Sequence, residues 1–155
     1  MIMYAYERIP NHIVQQIPAD WGVGKSEKGW MTSELFFEYI SNIFYPWLVS
    51  QNISFPVVLY IDGHKSHVTS PLSEFCRKKQ IILISLLPNS THILQPLDVG
   101  LFKVLKKSIH KWKVQTKRKC LTKEAFASVL QKAIDDIPNT ENIFKNAFRV
   151  CGFFH

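Results

Sequence analysis

Two aspartates, Asp62 and Asp98, stand where a folded chain can put carboxylates to chemical use. Asp62 closes the apolar run FPVVLYID at residues 55–62 and leads straight into Gly63, His64, Lys65, Ser66 and His67. Asp98 follows a second apolar run, residues 81–87, and the loop after it. In an open α/β sheet, functional groups gather beyond the carboxyl ends of the strands, so both acids are expected on one rim. An ionised aspartate at the end of so apolar a run is expected to be partly desolvated, which is unfavourable without a positive neighbour. A hard divalent cation bound through oxygen, Mg²⁺ or Mn²⁺, is the natural partner. Two such ions about 4 Å apart activate an attacking water or hydroxyl and stabilise the leaving oxygen in phosphoryl transfer. Residue types alone leave simpler roles open. Asp-Gly after a strand is often only a turn, and an acid in a helix's first turn often only complements the dipole.

The histidines around these acids widen the choice. His64, His67 and His92 lie near the same expected rim, and imidazole nitrogen suits zinc. A turn carrying two histidines three apart has no helix to set ligand geometry, which weakens that reading. His92, beside Thr91, and Gln95 can instead hydrogen-bond the loop that positions Asp98. Lys65 can meet a phosphate or simply be solvated. A serine hydrolase is excluded by context, because Ser66 sits in no strand–turn–helix elbow.

Net charge is +7, and its distribution says more than its size. No acid occurs between Asp98 and Glu124, while Lys103, Lys106, Lys107, Lys111, Lys113, Lys117, Arg118, Lys119 and Lys123 fall there. Such a stripe suits a polyanion such as DNA, and equally describes a solvated helix face.

These residues need a framework, and hydrophobic periodicity supplies one. Residues 1–9 read as a strand and residues 10–29, with Pro18, Gly22, Gly24 and Gly29, as a connecting loop. Thr32 or Ser33 can cap a helix whose apolar positions run from Leu35 to Leu48, with Pro46 expected to kink or end it. Residues 55–62 and 81–87 read as strands covered on both faces. Between them Ser70-Pro71 starts a helix running to about Lys79, which makes the two strands parallel. Residues 88–96 read as an irregular loop. Beyond it Asp98 opens a helix with Val99, Phe102, Leu105, Ile109 and Trp112 on one face and lysines on the other. Two more amphipathic helices follow, capped by Thr122 and Thr140, with Gly152 placed to stop the last. The fold class is α/β with a helical C-terminal half. Trp30, Phe36, Phe37, Phe44, Trp47 and Trp112 fall at core spacing, so base stacking is the minor reading.

A chain of 155 residues with 46% hydrophobic residues is long enough to bury a core. Its apolar runs are too short to span a bilayer, which excludes a membrane role by helix insertion. Cys76, Cys120 and Cys151 are odd in number and widely spaced, with no CxxC pair. They read as buried, inert thiols of a reducing compartment and argue against a disulfide framework.

The blocks LYIDGHKSH and LLPNSTHILQPLDVGLFKVLKK together resemble the catalytic region of the DDE superfamily endonucleases, the transposases of pogo, Tigger and jerky type. GWMTSELFFEYISNIFYPWL and FRVCGFF extend the likeness over nearly the whole chain. The resemblance implies a ribonuclease-H-like core and DNA strand cleavage and transfer through Mg²⁺ or Mn²⁺. It also implies residence in the nucleus. Asp62 matches the family's second catalytic acid and Asp98 its third, with residues 63–97 between them, a separation typical of the superfamily. It assigns His64, His67 and His92 to supporting the acids or facing substrate.

The departures from the pattern set further expectations. The family's first catalytic aspartate and the opening strands of its sheet lie upstream of the segment matching residues 1–9. Glu7 and Asp20, the acids nearest the start, occupy no matching position. Residues 1–155 are therefore expected to form a partial DDE domain with little or no cleavage activity, without the family's helix-turn-helix region. The alternative is a transposon-derived, non-catalytic DNA-binding or chromatin-associated protein in which the acids are relics.

Overall fold

A computed structural model describes residues 1–63, 68–87, 90–117 and 120–153, except for the side chains of Thr91 and His92. The chain divides into two compact units. The first comprises Met1–Arg8 and Gly22–Asn89, the second Ile9–Trp21 and Ser90–His155.

In the first unit, β1 (Ile2–Ala5) pairs in parallel with β2 (Val23–Ser26). β2 thus forms within the expected connecting loop, although Gly24, Lys25 and Ser26 carry little β propensity. Its strand state comes from pairing with β1, where Gly24 is buried beneath Met1 and Met3; a Cβ there would lie 2.5 Å from Met1 Cε. Gly29, at φ +73°, turns the chain where Ala5 N would stand 3.1 Å from a Cβ.

The helix α2 (Ser33–Tyr39) is capped by Thr32, whose hydroxyl accepts the Leu35 amide at 3.3 Å. It passes through a π-helical segment, Ile40–Phe44, into α3 (Tyr45–Ser50). Pro46 thus neither ends nor interrupts an α-helical ladder. It falls in the first turn after the π segment, where its missing N–H leaves no ladder bond unmade.

The second parallel pair joins β3 (Val57–Ile61) and β4 (Ile81–Ser85), registered Val57 to Ile81 through Ile61 to Ser85. Between them lies α4 (Ser70–Lys78), capped by Thr69 rather than Ser70, with Pro71 in its first turn. Ile40, Leu48, Leu72, Cys76 and Ile81 form the core beneath one face of this pair. Phe75 meets Tyr45 and Phe37 edge-on at 5.9 Å and 5.7 Å. The expectation that both faces are covered is corrected. Val58, Ile82 and Ile84, on the face away from that core, are exposed.

The second unit is helical. The short α1 (Asn11–Val14) brings fully buried Ile13 to α7 (Lys123–Asp135). The expected irregular loop contains a short helix, α5 (Thr91–Leu94). A π-helical segment, Leu97–Leu101, then feeds α6 (Phe102–Gln115). Thr122 caps α7 as expected, accepting the Ala125 amide at 3.3 Å. The last helix, α8 (Thr140–Val150), starts differently. Asn139, at φ 55°, is its N-cap, and the Thr140 hydroxyl donates back to the Ile137 carbonyl at 3.4 Å. Gly152, at φ +78°, ends it, and Phe153 N bonds Phe148 O at 3.0 Å. Among the described residues no helix is long and apolar enough to cross a membrane.

Candidate functional site

Asp62 is the first residue past β3 in the first unit. The preceding Ile61 is buried, and its carbonyl accepts the Leu86 amide at 2.8 Å, which fixes the strand end from which Asp62 projects. Asp62 itself is exposed, which corrects the expectation of a desolvated carboxylate. Strand alternation explains it: Ile61 takes the buried side, so the next side chain leaves it. Burial therefore does not impose a cation on Asp62. His64, Lys65, Ser66 and His67 lie outside the described residues.

Asp98 belongs to the second unit and sits in the first turn of the π-helical segment, half-buried. The described hydrogen bonds of Gln95 to this turn are main-chain ones. Its carbonyl accepts the amides of Asp98 at 3.1 Å and Val99 at 3.0 Å. Pro96, between them, is buried. Two residues beyond Asp98, a Cβ on Gly100 would fall 2.8 Å from Ala147 Cβ and 3.4 Å from the Ile143 carbonyl. The segment carrying Asp98 is thus laid directly on α8, and only glycine permits that approach. Sequence reading passed over Gly100 and Pro96. Their signal was present in the QPLDVG block, but periodicity does not reveal close backbone approach.

On α6 the expected division of faces is observed. Lys103, Lys106, Lys107 and Lys111 are exposed, while Phe102, Leu105, Ile109 and Trp112 are half-buried. None of these four lysines makes an ion pair or hydrogen bond with a described residue; the ion pair Lys145–Glu141, at 2.6 Å, lies on α8. Alongside, a cleft of about 280 Å³ between α6 and α7 is bordered by Ser108, Lys111, Trp112, Gln115, Lys132 and Asp136. The exposed cations repeat at three and four residues, so they line one side of the helix.

The sequence profile of the DDE superfamily endonucleases matches residues 2–148, taking in both aspartates and the lysine helix. The chain belongs to this family. It is also similar, at 34% identity over 94 residues, to a protein named MFS-type transporter clz9 from Cochliobolus lunatus. That stretch is 61% of this chain and 10% of the relative, so the chain spans about a tenth of the relative's length. No solved structure matches.

DDE endonucleases act on DNA and typically use divalent metals. Asp62 and Asp98 offer the hard oxygen donors that Mg²⁺ or Mn²⁺ needs, and neither is fully buried. Each is a single carboxylate donor within its own unit. No group of three or more His, Cys, Asp or Glu side chains that could hold a metal ion occurs among the described residues.

Proposed function

We propose that this chain is a DNA-binding domain of a transposase-type DDE endonuclease, of the pogo, Tigger and jerky kind, acting in the nucleus. Its ancestral chemistry is two-metal phosphoryl transfer on a ribonuclease-H-like core of which residues 1–155 form part. The observation that carries the reading is the family match across residues 2–148, which encloses both motif aspartates together with the unpaired lysine face of α6.

Each residue has a role in this reading. Asp62 and Asp98 would each serve as an oxygen ligand to Mg²⁺ or Mn²⁺, whose charge would neutralise the scissile phosphate. Gln95, Gly100 and α8 hold Asp98 in place. Lys103, Lys106, Lys107 and Lys111 track the phosphate backbone, with Lys65 a further phosphate contact, and His64, His67 and His92 face the acids or the substrate.

The test combines two assays on the 155-residue chain. DNA binding is expected, and plasmid nicking with Mg²⁺ or Mn²⁺ is expected to stay at background, since the chain supplies two motif acids of three. Robust nicking that vanishes in Asp62→Ala would overturn the inactivity. Failure to bind DNA at low salt would overturn the function.

A further inference from the structure

Among the described residues β4 leaves one edge open, and the surroundings of that edge specify what can occupy it. Val57 N donates to Gln80 O at 3.0 Å, and Leu86 N donates to Ile61 O at 2.8 Å. In a parallel pair these two bonds fix the alternation of the whole strand. The main-chain groups of Gln80, Ile82, Ile84 and Leu86 face β3, so those of Ile81, Leu83 and Ser85 face outward. No described residue pairs with them. Beside this edge runs a cleft of about 380 Å³ lined by Ser73, Cys76 and Arg77 of α4, with Gln80, Ile81, Ile82 and Leu83.

We propose that this cleft takes an extended acidic peptide from another protein, which adds to β4 as a further strand of about five residues. Three observations select that occupant. The outward carbonyls of Ile81, Leu83 and Ser85 need donors opposite them and their outward amides need acceptors, which another strand provides together and a phosphodiester chain does not. Arg77 is exposed over the cleft, and its guanidinium makes no ion pair or hydrogen bond with a described residue. Glu74, one turn earlier, does not line the cleft, so the helix side of the groove asks for a carboxylate. On the opposite face Ile82 and Ile84 are exposed, which asks for apolar β-branched residues at alternate positions. The recognised pattern is therefore acidic and apolar residues in alternation. A second copy of this chain fits less well. Pairing β4 with β4 about a two-fold axis puts the partner's α4, with the same cations, on the same side of the sheet.

The test is fluorescence anisotropy with the full chain and a fluorescein-labelled heptapeptide of alternating valine and glutamate. Its controls carry lysine for glutamate, or N-methyl groups at alternate main-chain nitrogens. The glutamate peptide is expected to bind at least about tenfold tighter than either control. Arg77→Glu, at an exposed helix position whose fold circular dichroism verifies, is expected to abolish that preference and favour the lysine peptide; Arg77→Gln serves if Arg77→Glu unfolds. No binding, equal binding of all three peptides, binding indifferent to residue 77, or a self-associated chain that excludes the peptide would each overturn the proposal. So would displacement of the peptide by an equimolar single-stranded oligonucleotide.

Discussion

Gly100 and Ala147 lie so close that a Cβ added at position 100 would stand 2.8 Å from the Cβ of Ala147. This contact seats the segment Leu97–Leu101 on α8 and thereby sets where Asp98 starts its turn. Gly100→Ala is expected to destabilise the chain by about 1–3 kcal/mol through overpacking. Ala147→Gly in the same chain restores room and should recover part of the loss in chemical denaturation. A Gly100→Ala variant as stable as the parent would contradict the packing.

The main-chain role of Gln95 has a different consequence. Its carbonyl, not its amide side chain, receives Asp98 and Val99. Gln95→Ala is therefore expected to change stability by no more than about 0.5 kcal/mol, as surface changes usually do. A large loss in thermal melting would assign the side chain a part in holding the turn.

The lysine face of α6 is tested through salt. Charge reversal of Lys103, Lys107 and Lys111 removes three candidate phosphate contacts. Each contact contributes about 0.9 to the slope of log affinity against log salt, so the slope should fall by about three. Unchanged affinity and slope would make this face only a solvated surface.

The cysteines give a pH-dependent prediction. Cys76 is buried, and burial pushes its thiol up from 9.0 to about 11; burial also raises Cys151. Cys120 is exposed, against the sequence expectation that all three are buried. It alone should react with a thiol reagent in the native state at pH 8. For Cys76 the folded state favours the protonated form. Stability from this group is fully present below pH 9 and is lost as pH rises toward about 11, because the unfolded thiol ionises first. Rapid native labelling of three thiols would contradict the burial.

The sequence showed what periodicity and caps encode. The parallel β3–β4 pair, the apolar and cationic faces of α6, the Thr32 and Thr122 caps and the stop at Gly152 were all legible, because each follows from local spacing or a single φ requirement. What escaped depends on tertiary partners. β2 exists because β1 pairs with it, Asn139 displaces Thr140 as a cap by adopting left-handed backbone, and Gly100 matters only because α8 crosses there. The two aspartates were legible as motif residues. The exposure of Asp62 was not, since an apolar run does not say which side its last residue takes.

Metal binding by the motif aspartates is the central chemical consequence of the proposed function, and Mn²⁺ binding followed by electron paramagnetic resonance tests it most directly. The parent chain is expected to immobilise Mn²⁺, and Asp62→Asn and Asp98→Asn should each weaken that binding while leaving the fold and DNA affinity intact. If both substitutions leave Mn²⁺ binding unchanged, neither carboxylate is a metal ligand and the proposed chemistry is contradicted.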